Sequence, residues 1–318
     1  IRAFPLNEKE MFSSFDKNND TWANADGIND RMLFLKNRRF KDEITKEPCL
    51  IYGNLEWVDG IPDNPKGVQF RQADVSAFDL KKARFAFSYL PTDVQELVWK
   101  WDSKVDDMRP VPPALSEHII GIDPIDKRYV TGQKKGFSNG SMTSVKYLDF
   151  SGTGIIDVPT AYYNIRTQHN STFFEDAIKF AIFMQAMVQV ENKNTKIVDW
   201  FEDRGYFGWL LAKRGEPKDS VDKGDAPGAG GQFLNEMIML IDDVTNLPLN
   251  EGDRYKLEDI WFYDLLDDIS NLDPSNTQKS DGFNSWGQAM IGKTKMVKAK
   301  PARKPDSFTQ QLVAQLLN

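Results

Sequence analysis

The chain has very little cysteine and histidine. Its 318 residues include one cysteine, Cys49, and two histidines, His118 and His169. A single cysteine excludes an internal disulfide and a cysteine-based zinc site, and two histidines leave little for histidine-rich metal centres. Any metal site must therefore be built from oxygen ligands, which favours magnesium, manganese or calcium.

Long apolar runs are also lacking. No segment approaches the roughly 20 apolar residues that a membrane span needs. The first residues, IRAFPLNEKEMF, lack the basic segment followed by an apolar one that marks a secretory signal. We therefore expect a protein that is neither secreted nor embedded in a membrane. Apolar residues make up 40% and charged residues 27%, which is ordinary for a chain that buries a core.

An excess of positive charge is lacking as well. The formal net charge of -7 argues mildly against broad nucleic-acid binding, because phosphate contacts need clustered Lys and Arg. The segment 293–304 is locally positive because it contains no acid and six basic residues: Lys293, Lys295, Lys298, Lys300, Arg303 and Lys304. This segment is either a phosphate-binding patch or a solvated tail, and the sequence leaves both open.

Hydrophobic patterning predicts an α/β domain over residues 111–292. Three strands are predicted first, at 118–123, 142–150 and 153–166, with a tight turn at 151–152. The following segments predict, in turn, a helix with a Thr172 to Glu175 capping box, a fourth strand, a second helix, a fifth strand and three more helices: STFFEDAIKFAIFMQAM, VQVEN, TKIVDWFEDRG, YFGWLL, QFLNEMIMLIDDV, KLEDIWFYDLLDDIS and DGFNSWGQAMI. Three antiparallel strands followed by alternating helix and strand give a mixed sheet flanked by helices. This is the element order of the ribonuclease H fold.

The regions outside this domain carry weaker signals. Residues 1–110 predict an N-terminal junction region, mostly irregular or β, with a hairpin in CLIYGNLEWVDGIPDNPKGVQF and a helix in TDVQELVWKWDSKV. The proline-rich segment at 108–115 predicts a linker, and the glycine-rich segment at 213–231 a mobile loop. Residues 293–318 predict a basic tail with a short amphipathic helix.

Three acidic residues stand in three different contexts within the predicted domain. Asp123 in HIIGIDP and Glu191 in VQVEN close predicted strands, and Asp281 in KSDGFNSWGQAM opens a predicted helix. On neighbouring strands the first two carboxylates would lie roughly 5 Å apart. Magnesium ions would offset their repulsion, and two such ions hydrolyse phosphodiesters. The three acids together therefore predict a metal-dependent nuclease.

Each acid also has a purely structural interpretation. Asp123 before Pro124 fits a turn acid, Glu191 a strand end, and Asp281 a helix N-cap. The joint placement in three suitable elements favours the metal site. Asp126 is a secondary candidate ligand, with a solvated turn as its alternative. The acids at 264, 267 and 268 share one side of a predicted helix and are interpreted as its exposed face.

Basic residues near these acids are candidate DNA contacts. One group would follow the first ligand in a hairpin loop, a second would follow the fifth strand, and a third opens the basic tail: Lys127, Arg128, Lys134 and Lys135; Lys213 and Arg214; Lys293 and Lys295. A solvated loop is the open alternative for the first two groups.

The string GQAMIGKT at 287–294 satisfies the pattern of a phosphate-binding loop. Its context argues against that function, because SDGFNSW before it lacks a buried strand and KMVKAKPARKP after it is a poor helix. A nucleotide hydrolase that uses this string is kept as an alternative.

The segments GIDP, VEN and DGFNSWGQAM, in this order, resemble the nuclease domain of the large terminase subunit of tailed phages, which packages and cuts viral DNA. The resemblance covers roughly 115–292, and FPLNEKEMF near the start resembles the segment that closes the packaging ATPase. It implies that Asp123, Glu191 and Asp281 are the metal ligands. The chain departs from the family beside the third ligand, where Ser280 and Gly282 replace another acid or histidine.

The resemblance and the three acids predict an endonuclease that uses two Mg²⁺ or Mn²⁺ ions to cut double-stranded DNA during viral genome packaging. We expect low sequence specificity because nothing resembles a base-reading element. The resemblance implies a portal protein, a small terminase subunit and a packaging ATPase domain as partners, and the host cell cytoplasm as location. Residues 1–110 would be the remnant of, or linker from, that absent ATPase domain. The main alternative is a non-catalytic DNA-binding or assembly module on the same core.

Overall fold

The structure is a computed structural model. It describes residues 22, 24–37, 50–74, 82–91, 97–103, 106–113, 116–124, 139–150, 152, 154, 156–191, 196–217, 220–225, 232–246, 256–274 and 280–298. None of the helices in these segments has the length and apolar character needed to cross a bilayer.

In the described residues, most strands precede residue 166 and most helices follow it. The strands are β1 (Ile51–Trp57), β2 (Val68–Gln72), β3 (Phe85–Phe87), β4 (Trp99–Asp102), β5 (Asp107–Pro110), β6 (His118–Asp123), β7 (Gly140–Lys146), β8 (Val158–Ile165) and β9 (Met187–Val190). The helices are α1 (Ala25–Asn37), α2 (Asn170–Met184), α3 (Lys196–Asp203), α4 (Gln232–Asn246), α5 (Tyr263–Ser270) and α6 (Asp281–Lys298).

Seven of the described strands form one mixed sheet in the order β2–β1–β3–β8–β7–β6–β9. Strands β6, β7 and β8 are antiparallel neighbours, and helix α2 crosses over to bring β9 parallel to β6. The expected α/β architecture, a mixed sheet flanked by helices, is thus confirmed. The predicted hairpin in the N-terminal region is also present as β1 and β2. Through the β3–β8 pairing, the N-terminal strands extend this same sheet past the predicted boundary at residue 110.

Strand β6 is buried on both faces, and its side chains divide the core in two. Ile120 and Ile122 pack with the aromatic residues of α2, such as Phe173. Ile119 packs on the opposite face with Trp286 of α6. Because side chains alternate along a strand, Gly121 and Asp123 share the face of Ile119 and point towards α6.

The structure differs from the predicted helix at 92–105, from the predicted linker and from the predicted fifth strand. The predicted helix in TDVQELVWKWDSKV contains strand β4, which pairs with β5 to form a separate two-stranded sheet. Strand β5 occupies part of the predicted linker at 108–115. Cross-strand pairs such as Trp101 with Met108 join these segments, and such pairing overrides local helix propensity. The predicted fifth strand, YFGWLL, is mainly a 3₁₀ turn at Phe207–Trp209, and only Leu210 makes a bridge to Val188.

Several element boundaries also differ from those predicted. The link between β7 and β8 spans 147–157 instead of a two-residue turn, and α2 begins at Asn170, ahead of the predicted capping box. KLEDIWFYDLLDDIS divides into a 3₁₀ turn at Lys256–Asp259 and helix α5. Helix α6 continues to Lys298, so the first residues of the predicted tail are helical.

Candidate functional site

Two of the three predicted carboxylates lie at the ends of adjacent parallel strands. Asp123 is the last residue of β6, and Glu191 follows β9 directly. The register pairs Ile122 with Val190, and the Glu191 N–H donates to the Ile122 carbonyl at 2.9 Å. By alternation from Val190, the Glu191 side chain points to the α6 face, as Asp123 does. The sheet therefore places both carboxylates side by side on one face.

The third carboxylate approaches from the helix side. Asp281 is the first residue of α6, which packs across β6, β7 and β9 with its N-terminus at the Asp123 end of β6. Asp281 Oδ2 accepts the backbone N–H of Asn139, the residue before β7, at 2.7 Å. The exposed fractions of Asp123, Glu191 and Asp281 are only 6%, 4% and 8%. The three predicted ligands thus converge on one buried region.

Strand β6 and helix α6 approach closely because β6 carries a glycine. A Cβ added to Gly121 would lie 2.0 Å from the Ser285 carbonyl oxygen and 2.2 Å from the Ala289 nitrogen. Ser285 Oγ lies 2.9 Å from Ser141 Oγ and 2.7 Å from Thr143 Oγ1, both on β7. These contacts fix the first turns of α6 against the two strands, and so fix where Asp281 lies.

One turn after Asp281, Asn284 contacts the first carboxylate directly. Its side-chain Nδ2 donates to Asp123 Oδ2 at 3.0 Å, and both side chains are buried. Asn284 is not among the residues predicted from the sequence. The signal available in the sequence was its spacing, because a residue three positions after a helical ligand lies on the same helix face.

The electrostatics of the site follow from burying like charges together. Burial raises the pKa of Asp123 well above its usual value. The Glu191 carboxylate raises it further by its charge and by a hydrogen bond, and Asp281 adds a smaller effect of the same sign. The hydrogen bond from Asn284 lowers the pKa and offsets part of this. Such a cluster has a deficit of positive charge.

Helix α6 is capped by an acid from another helix. Asp268 Oδ2 of α5 accepts the N–H groups of Gly282 and Phe283 at 2.7 and 3.0 Å. Burial raises the pKa of Asp268 to about 6, although these two N–H groups lower it. The prediction of an exposed acidic face is therefore wrong for Asp268, because the neighbouring helix N-terminus covers it. Asp264 and Asp267 are exposed as predicted.

A fourth buried acid lies beside Glu191 and was missed in the sequence. Asp225 forms a parallel bridge with Glu191, and its N–H donates to the Val190 carbonyl at 3.1 Å. It lies within the segment 213–231 that was predicted to be a mobile loop. In the described part of that segment, residues 220–225 are instead tied by backbone hydrogen bonds, including Gly224 to Leu211. Local composition favoured a loop, and only pairing with distant strands reveals the ordered segment.

The oxygen ligands fit a hard divalent cation by type, since carboxylates bind Mg²⁺ and Mn²⁺. They do not form a preassembled cage. In the described segments, no group of three or more His, Cys, Asp or Glu side chains is arranged to hold a metal ion. Asp123 and Glu191 interact directly with each other, and Asp281 accepts the Asn139 N–H.

The predicted DNA contacts fall into two groups. The candidates Lys127, Arg128, Lys134 and Lys135 lie outside the described residues, and so does the secondary candidate metal ligand Asp126. Lys213 is exposed, and Arg214 is half-exposed while pairing with Glu236 at 2.6 Å.

The two predicted DNA contacts at the end of the domain lie on α6, and both form ion pairs. Lys293 pairs with Asp157 at 2.5 Å, and Lys295 pairs with Asp225 at 2.6 Å. Of the four described candidates, Lys213 and Arg214 present the more accessible cations.

The string GQAMIGKT lies inside helix α6. A phosphate-binding loop needs backbone N–H groups free between a strand and a helix, whereas N–H groups within a helix are bonded to carbonyls one turn earlier. Gly287 and Gly292 serve packing instead. A Cβ at Gly287 would lie 2.4 Å from the Met237 sulfur, and one at Gly292 would lie 2.9 Å from Ile119.

Comparisons with known proteins identify no relative: no family model matches the chain, and no curated protein matches it.

Proposed function

We propose that the protein is a metal-dependent endonuclease on a ribonuclease H-like core, cutting double-stranded DNA with low sequence specificity during viral genome packaging. The observation that carries this proposal is the placement of Asp123 and Glu191 on one face at the ends of two adjacent parallel strands, with Asp281 at the N-terminus of the helix packed against them. The order of three antiparallel strands, a crossover helix and a parallel strand supports the ribonuclease H-like assignment.

Each residue of the site would have a distinct role. Asp123 and Glu191 would hold metal on a rigid sheet edge, and Asp281 would complete the oxygen donors from the helix. Asn284 would orient the Asp123 carboxylate by its hydrogen bond, as outer partners of metal ligands do. Lys213 and Arg214 follow the 3₁₀ turn at Phe207–Trp209. They would contact the DNA backbone without reading the base sequence.

Mg²⁺ or Mn²⁺ bound here would activate a water for attack on a phosphodiester and stabilise the departing oxygen. Positive charge is what the buried cluster needs, because the pKa of Asp123 is raised by burial and by two neighbouring carboxylates. The cluster would therefore exchange a bound proton for metal.

The test is cleavage of supercoiled plasmid by the purified chain with Mn²⁺ or Mg²⁺, compared with the same reaction in chelator. Asp123→Asn and Glu191→Gln remove one ligand charge each without changing side-chain size. Asp199→Asn and Glu202→Gln make the same chemical changes at exposed positions of α3 and serve as controls. We expect cleavage by the wild type and both controls, and none by the two site variants.

The rival candidate is a non-catalytic DNA-binding or assembly module. It is favoured by the lack, in the described segments, of a group already arranged to hold a metal. DNA binding without any metal-dependent cutting by the wild type would support this rival. Cleavage by Asp123→Asn as fast as by the wild type would show that the carboxylate cluster is not needed for cleavage.

A further inference from the structure

Lys295 of α6 has its ammonium group fully engaged inside the protein. Its Nζ lies 2.6 Å from Asp225 Oδ2 and donates to Gln189 Oε1 and to the Ala212 carbonyl, both at 2.8 Å. An ammonium group has three N–H donors, so these three acceptors use all of them. The side chain is only 16% exposed. A lysine held in this way is poorly placed to bind a DNA phosphate.

The partner of Lys295 is connected to the proposed metal ligand Glu191 through the sheet. Asp225 bridges to Glu191, and its N–H donates to the carbonyl of Val190, immediately before Glu191. The Asp225 carboxylate also accepts a hydrogen bond from Gln189 Nε2 at 3.3 Å and one from the backbone N–H of Arg214 at 2.8 Å. Gln189 is thus a shared partner of Lys295 and Asp225. It lies two residues before Glu191 and on the same face of the strand.

The charge of Asp225 makes this ion pair important. Asp225 is only 5% exposed, and its backbone forms a bridge with Glu191. Removing the cation from a buried ion pair leaves an uncompensated charge, which costs more than removing both partners. Without Lys295, we therefore expect the segment that contains Asp225 to separate from β9. The end of β9 would then keep β6 as a neighbour but lose the Asp225 segment on its other side.

We propose that Lys295 and Asp225 form a positioning pair that sets the location of Glu191, and that Lys295 does not contact DNA. This inference rests on the proposed nuclease function. The pair joins the C-terminal half of α6 to the outer edge of β9, so one helix would position Asp281 at its start and Glu191 through its later turns. Outer partners of metal ligands typically change activity by roughly 10- to 100-fold.

The experiment compares Lys295→Met, Asp225→Asn and the double variant with the wild type. Three quantities are measured: kcat and KM for plasmid cleavage in Mn²⁺, the salt dependence of DNA binding in chelator, and the thermal midpoint. We expect Lys295→Met to lower kcat by roughly 10- to 100-fold with KM within about two-fold of the wild type. The double variant should regain part of that loss, because no buried charge is left unpaired.

Lys256→Met is the matched control. Lys256 forms an equally enclosed ion pair with Asp157, at 2.8 Å and 14% exposed, on the 3₁₀ turn before α5. Because Asp157 keeps Lys293 as a second cation, Lys256→Met should lower thermal stability less than Lys295→Met does and should leave kcat unchanged. If Lys295→Met does not fold, kcat and KM are measured for Lys295→Arg and for the double variant instead.

Two results would overturn the inference alone. One is a rise in KM with kcat unchanged. The other is a DNA-binding salt slope reduced by about one, which marks a lost phosphate contact. A wild-type protein that does not cut DNA would overturn the proposed function itself, and the two failures are therefore distinguishable.

Discussion

Replacing Gly121 with alanine tests the contact that brings the helix to the sheet. The new Cβ would lie 2.0 Å from the Ser285 carbonyl oxygen and 2.2 Å from the Ala289 nitrogen. Both are backbone atoms in the middle of α6, so no side chain can rotate away to relieve the clash. Cβ atoms essentially never lie closer than 3.0 Å to such atoms, and α6 must therefore withdraw from β6 by about 1 Å.

The cost of this withdrawal can be estimated from the packing. Overfilling a packed core costs about 1–3 kcal/mol, and backbone clashes on a rigid helix lie at or above the upper end. A loss of about 3 kcal/mol lowers Tm by roughly 6–12 °C in a domain of this size. Because a misplacement of about 1 Å can reduce catalysis on the order of 100-fold, metal-dependent cleavage should fall by a similar factor.

Gly208→Ala is the control for Gly121→Ala. A Cβ at Gly208 would meet only Pro112 Cδ, at 3.7 Å, which is an ordinary contact. Its stability should change by less than about 1 kcal/mol and in the favourable direction, because alanine restricts the unfolded chain. Thermal and urea unfolding of both variants supply the measurement. Equal Tm values for Gly121→Ala and the wild type would refute the close approach of β6 and α6.

Two further predictions concern buried titratable groups. Burial, with a smaller effect from Lys146, lowers the pKa of His118 to about 3. The unfolded chain therefore takes up a proton first as the pH falls, so this contribution is intact above about pH 6.5 and is lost progressively towards pH 3. Urea unfolding at pH 7.5 and 5 should show a loss of about 2 kcal/mol in the wild type that His118→Gln lacks; equal losses would contradict this. Asp268→Ala should cost about 1–2 kcal/mol by uncapping α6, whereas the exposed Asp267→Ala should cost less than about 0.5 kcal/mol; similar unfolding midpoints for the two would argue against the cap.

The central part of the fold could be predicted because its pattern is local. HIIGID and VQVE are short, largely apolar runs that end in an acid, and DGFNSWGQAM has the spacing of a buried helix. These segments are β6, β9 and the start of α6. The convergence of Asp123, Glu191 and Asp281 follows once the two strands are parallel neighbours.

The parts that could not be predicted depend on distant pairing. Trp99 and Trp101 belong to a strand because β5 pairs with it, although the surrounding sequence has a helical period. Asp225 lies in a glycine-rich segment, and its buried carboxylate pairs with Lys295, 70 positions away. Asp268 resembles an exposed acid on its own helix and is covered only because α6 begins beside it. No local pattern carries this information.

The most direct test of the central claim is Mn²⁺ binding by the chain without DNA, measured by isothermal titration calorimetry. We expect Mn²⁺ binding by the wild type that is lost in Asp123→Asn, weakened in Asp281→Asn and unchanged in Asp199→Asn. Mn²⁺ binding that is equally strong in the wild type and in Asp123→Asn would contradict it.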